Sequence, residues 1–287
     1  MASAAGQAVG LLCLDLDGTL YNSSHRVSNE NAAAVAKASQ AGFAVVLCTG
    51  RSLNCYLPTA QELGVLGDLY LVACNGAFIC RLREDSKSSA ETIFSTPMSK
   101  AQIERLAVGL GRGRAQKADV GNRQFMQHTG DAQKQLVEAH NVIEETTPER
   151  VDDLCATLLG LEQPPSKFTI FDHDGKALAA EALALGVSEG IAMVAGGPNW
   201  VDTVDVEHDK AAGIAMLCER LGLKLADCVA FGDGANDASM LTACGLGIAM
   251  TQGKAEAKSA ANRVSQWSND EHAVAKELML LLAERLA

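Results

Sequence analysis

Four groups of residues have types and spacings that could do chemistry. The first is Asp15-x-Asp17-Gly18-Thr19, which closes the apolar run at residues 11–14. In an extended chain, residues i and i+2 share a face. Both carboxylates would therefore leave the end of a buried strand on the same side. Two such charges repel, and burying them is costly unless a cation or positive side chains compensate. Gly18 lets the backbone turn sharply there. A strand ending in a plain Asp-Gly turn has the same letters. The second group is Thr49-Gly50-Arg51, at the end of the run 43–48. A hydroxyl and free backbone N–H groups at the carboxyl edge of a parallel sheet suit a phosphate. A turn or helix cap uses the same residues. The third is Gly232-Asp233-x-x-Asn236-Asp237, after the run 228–231. Oxygen ligands without His or Cys fit a hard cation such as Mg²⁺. The loop is not an EF-hand, because the position eleven beyond Asp233 is Cys244 rather than Glu. The fourth is Lys210 in "VEHDKAAG". Taken by itself it is an ordinary solvated lysine.

The elements that must position these groups follow from hydrophobic pattern. Short apolar runs ending in Gly, Asn or Asp recur in "AVGLLCLDLDG", "GFAVVLCTG", "LYLVACNG", "DCVAFGDG" and "CGLGIAM". Four to eight residues long and rich in Val, Ile, Leu and Cys, they have the pattern of strands buried on both faces of a parallel sheet. Helical stretches separate them. "SNENAAAVAKASQAG" opens on Ser28 as N-cap and closes at Gly42; "DKAAGIAMLCERLG" closes at Gly222 and "NDASMLTACG" at Gly245. The tail "NDEHAVAKELMLLLAERL" has helical spacing. Strand and helix alternate, so the class is α/β with a Rossmann-like parallel-sheet core and right-handed crossovers. The middle of the chain is more polar. It is expected to form an inserted α+β domain over 97–197, with the core in 1–96 and 198–287. Within the insertion the pattern predicts helices at 98–110, 131–140, 148–159 and 176–186. Strands are expected near 114–120, 167–172 and 191–195. "GGPN" at 196–199 is expected to be the linker back to the core. "FTIFDHDGK" repeats Asp-x-Asp-Gly at Asp172 and Asp174, but Lys176 stands where the first motif has Thr19. It is expected to be a turn.

Bulk properties exclude some functions. The 287 residues are 48% hydrophobic and 21% charged, which leaves ample material for a core, and the soft expectation at this length is two domains. Net charge is −11, against general nucleic-acid binding, which needs a basic face. The nine cysteines show no CxxC spacing, and several lie in apolar runs as small buried hydrophobes. With no signal-like or membrane-spanning segment at the start, the expected setting is the reducing cytoplasm.

Taken together, Asp15-x-Asp17-Gly-Thr19, Thr49-Gly50-Arg51, Lys210 and Gly-Asp233-x-x-Asn236-Asp237 resemble the haloacid dehalogenase-like superfamily. The inserted domain resembles the large α+β cap of its Cof-like branch of sugar-phosphate and related phosphatases. "CNGAFI" (74–79), "VDTVDV" before Lys210, "GIAM" (247–250) and "SNDEHAV" (268–274) fit that branch too. The resemblance implies hydrolysis of a small phosphorylated metabolite, neither nucleic acid nor membrane being a partner. It makes Asp15 the nucleophile and Asp17 the general acid/base. Mg²⁺ would be held by Asp15, the main-chain carbonyl of Asp17, and Asp233, with Asp237 and Asn236 ordering the shell. Thr49, Gly50, Lys210 and Asn236 would hold the phosphate. Arg51 and Asn75 would approach the substrate from the core. Arg112, Arg114, Lys117, Arg123 and His128 are the cap candidates for the leaving group, and a solvated basic face accounts for them equally well. A phosphomutase, with cap arginines binding a second phosphate, and a non-catalytic phospholigand sensor are the alternatives.

Overall fold

The computed structural model describes residues 8–53, 56–65, 69–82, 90–144, 146–195, 198–205 and 207–286. The first part of the chain forms β1 (Gly10–Leu14), α1 (Asn29–Gln40), β2 (Phe43–Cys48), α2 (Tyr56–Leu63), β3 (Leu69–Ala73), β4 (Phe78–Leu82) and β5 (Ala90–Ser95). The middle forms α3 (Lys100–Glu104), β6 (Ala115–Val120), β7 (Arg123–Gln127), α4 (Asp131–Glu144), β8 (Glu149–Arg150) and α5 (Leu154–Leu159). It continues with β9 (Lys167–Phe171), α6 (Gly175–Glu189), β10 (Ile191–Ala195) and β11 (Trp200–Asp205). The last part forms α7 (Lys210–Leu221), β12 (Val229–Gly232), α8 (Ala238–Ala243), β13 (Leu246–Ala249), α9 (Ala255–Ala260), β14 (Arg263–Val264) and α10 (Ala273–Leu286). Contacts divide the chain into two compact units. One comprises 1–49, 56–93 and 209–287; the other comprises 50–55 and 94–208.

The first unit is built on a sheet in the order β14-β13-β12-β1-β2-β3-β4-β5. β1 pairs parallel with both β2 and β12, while β4 returns antiparallel along β3. β1, β2, β3 and β12 are buried along their whole length, as their unbroken apolar runs require. From β1 the chain proceeds outward to β2 and β3, and later restarts on β1's other flank at β12. β1 therefore stands at the point where strand order reverses, where open α/β sheets bind ligands beyond the carboxyl ends. α1 starts as expected, with the Ser28 side chain accepting from the Asn31 N–H. α7 is capped by Asp209, which accepts from the Ala212 N–H, and stops at left-handed Gly222. α10 packs on α1. Among the described residues, no helix is long and apolar enough to cross a membrane.

The second unit has a six-stranded sheet in the order β10-β11-β9-β6-β7-β8. Ala118, Val120, Phe125, Phe168, Ile170 and Val201 form its apolar face, packed on Ile103, Leu154, Leu158 and Leu178 of α3, α5 and α6. The structure corrects several sequence expectations here. β10 and β11 pair antiparallel, so the 196–199 segment joins two strands of one sheet and is not a linker. (Gly196 and Gly197 lie outside the described residues.) The helix expected at 148–159 begins only at Leu154, because Asp153 caps it and residues 149–150 form an edge strand. The helix expected at 98–110 is present over 100–110, α-helical through Glu104 and widened to a π-turn from Arg105 to Leu110. β7 was not expected, since "RQFMQ" alternates weakly. Asp172 and Asp174 do form a turn, with Asp174 accepting from the Ala177 N–H at the start of α6.

One glycine joins the two ends of the first unit. Gly76 has φ +105°, and a Cβ there would lie 2.1 Å from the carbonyl oxygen of Asp209, just before Lys210. Gly76→Ala is expected to lower stability by about 1–3 kcal/mol through strain and clash. A denaturant midpoint equal to wild type would show that the contact relaxes freely.

Candidate active site

Four chain segments deliver polar groups to the carboxyl ends of the central strands. Asp15 follows β1, Thr49 follows β2, Asn75 follows β3 and Asp233 follows β12. Asp15 keeps the sheet's hydrogen bonding, its N–H donating to the Phe231 carbonyl at 3.1 Å. The turn after it works as the sequence implied: Gly18 has φ +76°. A Cβ on Gly18 would lie 2.5 Å from Asp233 Oδ2, so only glycine lets the two acidic loops approach.

Lys210, the first residue of α7, is fully buried. Its ammonium donates to Asp15 Oδ1 at 2.7 Å and to Asp237 Oδ1 at 2.5 Å. The other oxygen of Asp237 accepts the N–H groups of Asp233 (2.9 Å) and Gly234 (2.7 Å). Asp237 is thus a structural clamp on both the lysine and the Asp233 loop. Asn236 Nδ2 donates to Asn75 Oδ1 at 3.0 Å, which ties the β3 and β12 loops together. Cys74 and Asn75 both have positive φ, +50° and +52°, an unusual conformation for residues with side chains. Asn75 Nδ2 is buried without a hydrogen-bond partner and can still donate to an oxygen ligand. Thr49 is buried, and its carbonyl accepts the Asn75 N–H at 3.1 Å.

Three carboxylates and one lysine leave the cluster short of positive charge. Asp15, Asp233 and Asp237 offer oxygens all within 4.8 Å of one another. Burial first, then the Asp237 charge, pushes the Asp15 carboxyl well above the ordinary range, with Lys210 opposing. Burial and Asp237 push Asp233 up to about 6. Burial disfavours the Lys210 charge, but Asp15 and Asp237 more than reverse this and hold it above the ordinary lysine range. An all-oxygen set with unbalanced negative charge fits a hard divalent cation.

Asp17 departs from expectation. The strand ends at Leu14, one residue before Asp15, and Asp17 lies in the following turn at φ −74°, ψ 119°. The same-face rule for strands therefore does not apply to the pair. The Asp17 side chain is 44% exposed, lies 3.6 Å from His25 Nδ1 and stands outside the three-carboxylate cluster. Only its main-chain carbonyl is left as the metal ligand that the resemblance implies.

Gly50 and Arg51 belong to the short segment grouped with the second unit. That unit carries a buried polar set which the sequence reading found only in part. Lys117, Thr169 and Asp202 stand in register across β6, β9 and β11, and Asp119 stands beside Lys167 and Gln124. Lys117 and Lys167 are fully buried. Lys167 Nζ donates to the Gly50 carbonyl at 3.1 Å and lies 3.6 Å from Asp119 and 3.8 Å from Asp202. Gln124 donates to Ser52 and to Asp119. Asp119 Oδ2 and Gln124 Oε1 have no hydrogen-bond partner. Arg123 does not join this set. It shares the opposite, apolar face with Phe125, is exposed, and pairs with Glu149 at 3.1 Å. Arg114 is held by Asp172 and Glu181. His128 is half-buried just beyond β7, with Nδ1 unpaired. The missed signal was period two: Lys117/Asp119 and Lys167/Thr169 alternate with Ala118, Phe168 and Ile170.

This geometry can be set beside known proteins. A family model of haloacid dehalogenase-like hydrolases matches residues 12–278. The chain belongs to this family. The match spans every element of the site, and the chain is a phosphatase of the Cof-like branch. It is similar to phosphatase YwpJ of Bacillus subtilis, with 28% identity covering 95% of this chain and 99% of that protein. It is also similar to the 5-amino-6-(5-phospho-D-ribitylamino)uracil phosphatase YwtE of the same organism, with 25% identity over 96% of this chain and 99% of that one. Its fold is shared by a haloacid dehalogenase-like hydrolase from Bacteroides thetaiotaomicron, with TM-score 0.81, 24% identity and coverage of 95% and 99%.

The pKa of Asp233 has a measurable consequence. A carboxyl raised from 3.8 to about 6 costs the cation-free fold stability above pH 6, and that cost is absent below pH 4. A cation that binds the ionised form removes the cost only where Asp233 is ionised. Mg²⁺ is therefore expected to raise the melting temperature more at pH 7.5 than at pH 5, as scanning calorimetry would show. Equal shifts at both would contradict Asp233 as a ligand.

Proposed function

We propose that the chain is a Mg²⁺-dependent hydrolase of small phosphomonoesters that works through an aspartyl-phosphate. The carrying observation is the buried Lys210 bonded to Asp15 within a three-carboxylate cluster at the strand-order switch. Asp15 Oδ1 is oriented by that bond, and Asp15 attacks phosphorus in line as the nucleophile. Thr49, the Gly50 N–H, Lys210 and Asn236 hold phosphoryl oxygens, and fixed donors there stabilise the charge that develops. Asp15, Asp233 and the Asp17 main-chain carbonyl would hold Mg²⁺, with Asp237 ordering them. The ion would supply positive charge to the carboxylates and the phosphoryl group.

Asp17 protonates the leaving oxygen and then takes a proton from the attacking water. Its partial exposure and its place outside the carboxylate cluster support that role, which needs both protonation states. The second unit's own buried polar set, Lys117, Asp119, Gln124 and Lys167, is suited to recognising a hydroxylated group. Asp119 Oδ2 and Gln124 Oε1, neither of which has a hydrogen-bond partner, support a hydroxylated substrate such as a sugar. A ribityl phosphate, as in the name of YwtE, falls in that class. The mutase alternative finds little support, since Arg114 and Arg123 are already paired with carboxylates. Eight free thiols among the described residues support a cytoplasmic setting.

Phosphate release from a panel of phosphomonoesters, with Mg²⁺ or with EDTA, tests this reading. Release is expected only with Mg²⁺. Lys210→Ala is expected to lower kcat by about a hundredfold or more, the scale of losing one such donor. Asp119→Asn and Lys167→Met are expected to reorder the panel. Undiminished release by Lys210→Ala, or release in EDTA, would contradict the mechanism.

A further inference from the structure

The first unit holds a thiol pair that the phosphatase site does not use. Cys218 Sγ, in the last turn of α7, lies 3.4 Å from Cys228 Sγ, just ahead of β12. Both are buried and both are free thiols. Cys228, though buried, is among the residues lining a cavity of about 150 Å³, together with Leu12, Phe43, Leu246 and Leu278. At about 30 Å³ per water molecule, that cavity has room for a small neutral oxidant. The sulfurs must close by about 1.4 Å to reach disulfide length. Between them the chain turns at left-handed Gly222, runs irregularly through 223–224 and makes one short 3-10 turn at Leu225–Asp227, so no strand and no long helix has to move to close that distance.

We propose that Cys218 and Cys228 are a reversible oxidation site that forms a disulfide with hydrogen peroxide. The Cys228 sulfur, deprotonated, attacks one peroxide oxygen and the O–O bond breaks. A sulfenic acid forms on Cys228, and the released hydroxide takes up the thiol proton as water. The Cys218 sulfur then attacks the sulfenic sulfur. The S–S bond forms, the S–O bond breaks, and hydroxide leaves with the Cys218 proton as a second water. The bond ties the end of α7, which starts at Lys210, to β12, which ends one residue before Asp233. A thiol reductant restores both thiols.

Peptide mapping of the full chain after peroxide, with free thiols alkylated and no reductant added, tests this. Arg220 and Lys224 lie between the two cysteines, so trypsin separates them unless they are bonded. The expected product is peptide 211–220 joined to 225–254, short of the summed mass by two hydrogen atoms. Cys244 lies in the second peptide too, so fragmentation must place the link at Cys228. The link should persist in Cys244→Ala, vanish in Cys228→Ala, and vanish in wild type after a thiol reductant. Full alkylation of both cysteines after peroxide, an irreversible sulfonate on Cys228 alone, or a link running through Cys244 would each overturn the proposal. The wild-type map decides this even if a variant fails to fold.

Discussion

The structure depends on one electrostatic constraint: buried Asp15 and Asp237 and half-buried Asp233 must crowd around one buried lysine, Lys210. Asp15 and Asp237 divide the Lys210 ammonium between them, at 2.7 and 2.5 Å. That leaves Asp233 and the remaining carboxylate oxygens under-compensated, which is why burial and Asp237 lift the Asp233 pKa to about 6. Isolated buried charge is expensive, and it persists only where something else offsets it. Here the offset is incomplete within the protein's own side chains. The cost is concentrated at the place where a cation and a phosphate would supply or use charge, and strained or under-compensated groups of this kind collect at functional sites.

The scaffold makes that concentration possible. Strands buried on both faces hold Asp15, Thr49, Asn75 and Asp233 at one edge, and the reversal of strand order at β1 leaves room beyond it. Fine positioning then falls to small residues. Gly18 admits Asp233, and Gly76 admits the carbonyl that precedes Lys210. Asp237 is the hub, because one oxygen fixes the lysine and the other fixes the Asp233 loop through two backbone N–H groups. Removing it would free two elements at once.

Much of this was legible from residue order. The unbroken apolar runs specify buried parallel strands, Ser28 and Gly222 mark helix ends, and the acidic, Thr-Gly and lysine motifs name the core site. Three things were not legible, each for a physical reason. The direction of Asp17 depends on the strand stopping at Leu14, because residues i and i+2 share a face only while the chain stays in the strand, and residues 16–20 turn. The pairing of β10 with β11 depends on long-range sheet registry, so 196–199 looked like a linker. The burial of Lys117 and Lys167 is tertiary, since a lysine in an alternating strand resembles a solvated face until Asp119, Asp202 and the Gly50 carbonyl surround it.

The central claim is that Asp15 becomes covalently phosphorylated. The most direct measurement is rapid acid quenching during turnover of a phosphomonoester, followed by mass analysis of the tryptic peptide that ends at Arg26. The account predicts a transient, base-labile phosphoryl group on Asp15 that rises and decays with turnover. Phosphate release with no such species on Asp15, or with the label on another residue, would contradict it.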